Sequence, residues 1–152
     1  MIDEVTNCVR EAVKQVFSTM VQMDLEAVDC LRLNGEERIA SSVGFAGNLT
    51  GVVYLSAAEP FARQLTGAMT GLEEEEMDDV IVNDAMGEIT NMIVGNMKSQ
   101  MSAKSVECSL TVPSIVRGTH LEIETLRFQN RSKLNYKNEE NFLSLEVLLK
   151  EA

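Results

Sequence analysis

The chain has 152 residues, 45% hydrophobic and 24% charged, which is the composition of one ordinary globular domain. Its 24 acidic residues outnumber 13 basic residues and give a formal net charge of −11, which argues against nucleic acid and against an anionic membrane surface as partners. The acidic N-terminus and the lack of a long apolar run predict no signal peptide and no membrane span, and therefore a cytoplasmic protein.

The first part of the chain predicts a helix followed by strands. Apolar residues recur at helical spacing and predict an amphipathic helix over residues 3–20. Turn dipeptides at Asn34-Gly35 and Gly47-Asn48 separate the strand-like stretches that follow. The three predicted strands cover residues 28–33, 38–45 and 49–56.

The second part repeats this order of elements. A short helix should begin near Pro60 and end at Gly67 or Gly71. An acidic run at residues 73–76 precedes a long helix that reaches about Gln100, and its negative charge suits the N-terminal end of that helix. Three further strands are predicted at residues 106–112, 120–128 and 142–150.

This order of elements predicts a single α+β domain over residues 1–152. Two structurally similar halves, each with a helix and three strands, would share one antiparallel sheet.

The three cysteines Cys8, Cys30 and Cys108 lie in apolar stretches and are expected to be reduced core thiols. With His120 as the only histidine and no Cys-x-x-Cys pair, we expect no metal site.

The long helix carries a narrow polar stripe. At about 100° per residue, Asp84, Glu88, Asn91 and Gly95 fall together, while isoleucine, methionine and valine side chains take the opposite face. We call these four residues the polar stripe. A glycine inside a helix costs roughly 0.5–1 kcal/mol relative to alanine. Gly95 therefore indicates close approach by another protein's backbone or, as the alternative, packing against the protein's own sheet.

Glu-x-x-Asn alone is a weak pattern, because a chain of this composition contains it by chance. It occurs twice here, as Glu88/Asn91 in the long helix and as Glu4/Asn7 in the first. The first-helix copy has Glu11 where the long helix has glycine. We therefore interpret Glu4 and Asn7 as surface residues.

Four stretches carry a resemblance to a known family, at residues 44–56, 67–71, 84–95 and 111–118. The family pattern of an acid or serine, a glutamate, an asparagine and a later proline falls on Asp84, Glu88, Asn91 and Pro113. On these residues the chain resembles the CheX-type members of the CheC/CheX/FliY family of chemotaxis phosphatases. Members of that family hydrolyse the aspartyl phosphate on the response regulator CheY. Pro113 itself is expected to be structural, closing a strand at a sheet edge.

The resemblance implies a CheC-like fold with long helices packed on the sheet, a homodimer joined through sheet edges, and a phosphorylated CheY-like response regulator as partner. It implies catalytic roles for Glu88 and Asn91 and partner contacts for Asp84 and Gly95. No cofactor of its own is implied, since Mg²⁺ is expected on the response regulator. No nucleophile–base set is apparent in the sequence. Transfer of a phosphoryl group through a loose transition state needs positioning more than a nucleophile.

Two other functions fit the same residues. One is a non-catalytic CheX-like module that binds a phosphorylated receiver domain without dephosphorylating it. The other is a structural component of the flagellar switch. Such a component would require an added peptide tail or domain for its incorporation. The sequence does not identify the response regulator or the output of the pathway.

Overall fold

The computed structural model describes residues 1–30, 36–119, 128 and 130–150. Its helices are α1 (Ile2–Val16, continued by a π-helical turn at Phe17–Val21), α2 (Glu59–Thr70) and α3 (Asp79–Ser102). Gly71 ends α2 with φ +74°, a left-handed conformation that glycine adopts without strain. The Asp78 side chain caps α3 by accepting a hydrogen bond from the Ile81 amide at 2.8 Å.

The strands of the described part form one antiparallel sheet. They are β1 (Glu26–Val28), β2 (Arg38–Gly47), β3 (Gly51–Ala58), β4 (Cys108–Leu110), β5 (Ser114–Gly118), β6 (Asn130–Asn138) and β7 (Asn141–Leu149). Their order is β1-β6-β7-β3-β2-β4, and β5 also pairs with β2. Strand β2 therefore receives two short strands along one edge, with β4 at one end and β5 at the other.

The core lies between one face of the sheet and the helices. Burial alternates along β3, as expected for a strand with one face against a core. The inward residues of β2, β3 and β7 belong to the same hydrophobic cluster as the apolar faces of α1 and α3. The α3 residues in that cluster are Val82, Met86, Ile89, Ile93, Val94, Met97 and Met101. Helix α3 is thus fixed over most of its length, and its remaining face points outward.

Most of the predicted elements are confirmed. The helices, the strands at 38–45, 49–56 and 142–150, and the end of α2 at Gly71 agree with the structure to within a few residues. Of the predicted strand at 28–33, Val28 lies in β1, whereas residues 31–33 and the Asn34-Gly35 turn lie outside the described residues. Residues 120–127 of the predicted strand at 120–128 also lie outside them. The α+β class with helices packed on an antiparallel sheet is confirmed.

The strands after α3 are where the sequence prediction was wrong. Strand β4 lies within the predicted strand at 106–112, and an unpredicted strand, β5, follows it, because Pro113 has no amide hydrogen to donate and interrupts the pairing of this segment with β2. Strand β6 was not predicted at all. With β7, these give four strands after α3 in the described residues, rather than three.

The cysteine prediction holds at two of three positions. All three thiols are free, and Cys8 and Cys108 are buried. Burial raises the pKa of the Cys108 thiol, which keeps it in the unreactive protonated form. Cys30 is exposed, so its assignment to the core was wrong. It lies in a bend just after the short strand β1, where the chain leaves the sheet.

Candidate functional site

The outward face of α3 carries the polar stripe as expected. Asp84 and Glu88 are exposed, and Asn91 and Gly95 are half-buried. The opposite face is anchored by side chains that are fully buried, among them Met86, Ile89 and Ile93. Because α3 cannot rotate without exposing these side chains, the stripe is held in a fixed orientation.

The polar side chains of the stripe are unengaged within the described part of the chain. Asp84, Glu88 and Asn91 form no hydrogen bond or ion pair with any described residue. Other amides on α3 behave differently: Asn96 donates to Gln15 Oε1 of α1 at 2.8 Å, and Asn83 accepts from Arg117 at 2.7 Å. Among the described residues, the Asn91 carboxamide thus differs from its neighbours Asn83 and Asn96 in having no side-chain partner.

Gly95 leaves a gap in the side-chain cover beside Asn91. A Cβ atom built on Gly95 would meet nothing within 4 Å outside its own helix. The alternative that Gly95 packs against the protein's own sheet is therefore wrong. Side chains from other described elements therefore do not cover the α3 backbone at Gly95.

A second helical glycine was missed by the sequence analysis and makes a close internal contact. Gly87 is buried, and a Cβ built there would lie 3.2 Å from Pro113 Cβ and 3.8 Å from Ile115 Cδ1. The segment between β4 and β5 thus packs directly on α3, one turn before Asn91. Pro113 does interrupt the strands at the sheet edge, as predicted, but it also contacts the helix that carries the stripe.

An arginine cluster fixes the beginning of α3 and was also missed. Arg117 of β5 is largely buried, with 16% of its side chain exposed, and its Nη1 lies 3.6 Å from Asp79 and 3.9 Å from Glu59. The same nitrogen lies 3.7 Å from Glu37, and Nε donates to Asn83 Oδ1 at 2.7 Å. The cluster ties the first two turns of α3 to β5 and α2. Arg117 lies in the stretch 111–118 and is its one basic residue, which was the available signal.

The second Glu-x-x-Asn pair lies on the surface of α1, as expected. Glu4 and Asn7 are both exposed. The Asn7 Oδ1 atom accepts a hydrogen bond from Arg10 Nη1 at 2.7 Å, so this amide already has a partner.

The architecture defines a class of protein. An antiparallel sheet with long helices on one face is shared with CheC-like proteins, and solved structures reproduce it over nearly the whole chain. CheX from Vibrio vulnificus superimposes with a TM-score of 0.85 at 19% identity, over 99% of each chain. The CheX–CheY–BeF₃–Mg²⁺ complex from Borrelia burgdorferi gives 0.78 at 17% identity, over 96% of this chain and 97% of that one.

The family follows from the sequence itself. The model of the chemotaxis phosphatase CheX family matches residues 39–136, which is more than half of the chain. The protein therefore belongs to the CheX family. The CheY-P phosphatase CheX of Thermotoga maritima is 23% identical over 105 residues, covering 68% of this chain and 67% of that protein. Within the described residues, no helix is both long and apolar enough to cross a membrane.

Proposed function

We propose that this protein is a cytoplasmic phosphatase that hydrolyses the aspartyl phosphate of a CheY-type response regulator and so ends chemotaxis or related two-component signalling. Membership of the CheX family supports the proposal, as does a relative named CheY-P phosphatase. A structural neighbour in complex with CheY supports the choice of partner. The observation that carries the proposal is the unengaged Glu88–Asn91 pair on the anchored helix α3.

Asn91 would orient the attacking water. The phosphoryl group of an acyl phosphate leaves through a loose transition state, so catalysis consists mainly of positioning and charge stabilisation. A carboxamide both donates and accepts hydrogen bonds, so it can hold a water molecule in line with the breaking P–O bond. The Asn91 side chain has only two torsions and no internal partner in the described part, and it can enter another protein's site without first breaking a hydrogen bond.

Glu88 would pair with the active-site lysine of the response regulator. It lies one turn before Asn91, and residues at this spacing have Cβ atoms about 5–6 Å apart on one helix face. An ion pair at Glu88 would therefore fix the depth and orientation at which Asn91 enters. Hydrogen bonds between charged groups are roughly twice as strong as neutral ones. Such a bond at Glu88 is suited to fixing the position of α3 relative to the partner's active site.

Asp84 and Gly95 would contact the partner at the two ends of the polar stripe. At 1.5 Å per residue the stripe from Asp84 to Gly95 is about 16 Å long. Asp84 is exposed and adds negative charge toward a partner site that holds lysine and Mg²⁺. Gly95 would let the partner's backbone approach α3 beside Asn91.

Two further features belong to this proposal. The protein would supply no cofactor of its own, because the Mg²⁺ ion needed for phosphoryl transfer would be bound by the response regulator. It would also act as a homodimer joined through sheet edges, as the family resemblance implies. Light scattering at micromolar concentration tests the second feature, and a monomeric mass would contradict it.

The test is a turnover assay with a matched pair of variants. Substoichiometric protein is mixed with phosphorylated CheY-type regulator, and phosphate release is followed. We expect more than one turnover per molecule, a loss of ~10²–10³ in rate for Asn91→Ala, and no change for Asn7→Ala. Binding of the phosphorylated regulator without turnover would favour the non-catalytic module instead. Wild-type activity in Asn91→Ala would remove Asn91 from the mechanism.

A further inference from the structure

A cavity of about 720 Å³ lies between α1, β1 and β6, on the side of α1 that faces away from α3. Cys8 and Gln15 of α1 make side-chain contacts with α3, whereas Arg10, Lys14 and Phe17 line the cavity. At about 100° per residue these two sets lie on opposite sides of the helix. None of the described residues that line the cavity belongs to the polar stripe. Small-molecule sites have volumes of roughly 300–1,000 Å³, so the cavity is large enough to hold a ligand.

One part of the cavity lining is apolar. Val13, Phe17 and Leu134 line it and belong to the hydrophobic core. Met23 and Leu25 also line it, and both are half-buried against the same core. The cavity thus offers a ligand an apolar surface that is continuous with the core. A hydrocarbon group placed there would be removed from water, which is favourable by roughly 25 cal/mol for each Å² of apolar surface buried.

Three cationic side chains line the same cavity. Arg10 and Lys14 lie one turn apart on α1, and Lys133 lies on β6. All three are exposed, and none forms an ion pair with a residue that the structure describes. The lining also includes two carboxylates, Asp24 and Asp29, which have no ion-pair partner among the described residues either. Three positive charges against two negative ones give the lining a positive balance in a chain whose net charge is −11.

Tyr136 of β6 adds a neutral donor to the cavity. It is half-buried, and its hydroxyl makes no hydrogen bond with a described residue. Burial raises the pKa of the Tyr136 phenol, and the opposing effect of the Arg10 charge is smaller. The hydroxyl is therefore protonated at neutral pH and can donate a hydrogen bond to an anion. Arg10 and Tyr136 thus provide a charged and a neutral donor on facing elements, α1 and β6.

We propose that this cavity binds a small amphipathic anion, with an aliphatic body on the apolar lining and a carboxylate or phosphate group bound by Arg10, Lys14 and Lys133. The two ends of such a molecule match the two parts of the lining. A neutral hydrocarbon would leave the three cations without a counter-charge, and an amphipathic cation would be repelled by them. The proposal does not depend on the proposed phosphatase function, because the cavity and the polar stripe share no residue.

The first experiment titrates the protein with anilinonaphthalene sulfonate, an amphipathic anion whose fluorescence rises in apolar sites. We expect saturable binding of one molecule per chain. The variant Lys14→Glu/Lys133→Glu should bind about tenfold more weakly, because it replaces two of the three cations with carboxylates. Lys104→Glu/Lys150→Glu is the matched control, since it makes the same charge change at two exposed lysines outside the cavity. Equal affinities for the two double variants, both folded by thermal melting, would overturn the inference.

Competition experiments then test the chemical class of the ligand. Octanoate and octyl phosphate should both displace the fluorescent probe, and the tighter of the two identifies the preferred head group. Octanol and octylamine have the same body without the negative charge, and each should compete at least tenfold more weakly. Displacement by octanol as effective as by octanoate would overturn the inference. Probe binding that appears only when the protein is diluted to a monomer would also overturn it, because a second copy of the chain would then cover the cavity.

Discussion

Helices α1 and α3 carry the same Glu-x-x-Asn spacing on exposed faces, and the comparison shows what spacing leaves undetermined. On α1, the Asn7 amide accepts a 2.7 Å hydrogen bond from Arg10. On α3, the side chains of Glu88 and Asn91 have no partner within the described residues. The two pairs are alike in sequence, but the asparagine amide has a hydrogen-bond partner on α1 and none among the described residues on α3.

The two helices also differ in how their first turns are held. Asp78 caps α3 with a side-chain hydrogen bond, and Arg117 ties the first turns of α3 to β5 and α2. Helix α1 begins at Ile2 without a side-chain cap from the preceding Met1, and it ends in a π-helical turn. Both helices are nevertheless anchored in the same hydrophobic core, so the difference between the two pairs lies in the partners of their polar side chains.

The largest effect that we predict after Asn91→Ala is for Glu88→Gln. Removing the charge should lower kcat/KM by ~10–100-fold, or ~1.4–2.7 kcal/mol, because the ion pair with the partner's lysine is lost while the side chain keeps its size. Most of the change should appear in KM, measured by steady-state phosphate release. Glu4→Gln on α1 is the matched control and should match wild type. Equal losses for both variants would indicate a general effect of charge rather than a site on α3.

The next effect concerns the anchoring of α3. Arg117→Met should lower the free energy of unfolding by about 1–2 kcal/mol, because among the described residues Glu59 and Asp79 would then share only Arg63, which contacts them at 3.1 and 3.7 Å. The loss is limited because Asp79 is 67% exposed and its charge is screened by water. Urea unfolding measures the change. Arg10→Met removes the exposed arginine of α1 and should shift stability by at most about 0.5 kcal/mol. A larger loss for Arg10→Met than for Arg117→Met would contradict this account.

The sequence predicts well what depends on local periodicity. The buried face of α3 follows from the 3.6-residue repeat of Val82, Met86, Ile89 and Ile93. The end of α2 follows from the capacity of Gly71 for a left-handed conformation. The position of the polar stripe is the complement of the buried face, so it too could be predicted before the fold was known.

What depends on distant contacts could not be predicted in the same way. Periodicity predicted that a partner approaches closely at Gly95, which stays a prediction, but it did not show that Gly87 would lie against Pro113, which is distant in sequence. The role of Arg117 requires carboxylates from three separate segments. Strand β6 was missed because Arg131, Lys133 and Asn135 give this segment a polar composition, which hides the strand pattern. Its Leu134 is nevertheless buried in the core.

The smallest predicted effect lies at Gly95, where α1 and α3 differ most directly. Gly95→Ala should raise the free energy of unfolding by ~0.5–1 kcal/mol, because alanine favours the helix and its Cβ meets nothing within 4 Å outside its own helix. Activity toward phosphorylated regulator should nevertheless fall a few-fold, roughly 0.5–1 kcal/mol in kcat/KM, since the added methyl group enters the gap used by the partner. Chemical denaturation and phosphate release measure the two effects separately.

Gly95→Glu sharpens the comparison, because it gives α3 the residue that α1 carries at the same place as Glu11. Glutamate also favours helix over glycine, so this variant should be no less stable than wild type. It should lose more activity than Gly95→Ala, because a longer charged side chain blocks the approach to the α3 backbone beside Asn91. Full activity in both variants would show that the partner does not use the gap, and the difference between the two helices would then reduce to the pairing of Asn7 with Arg10.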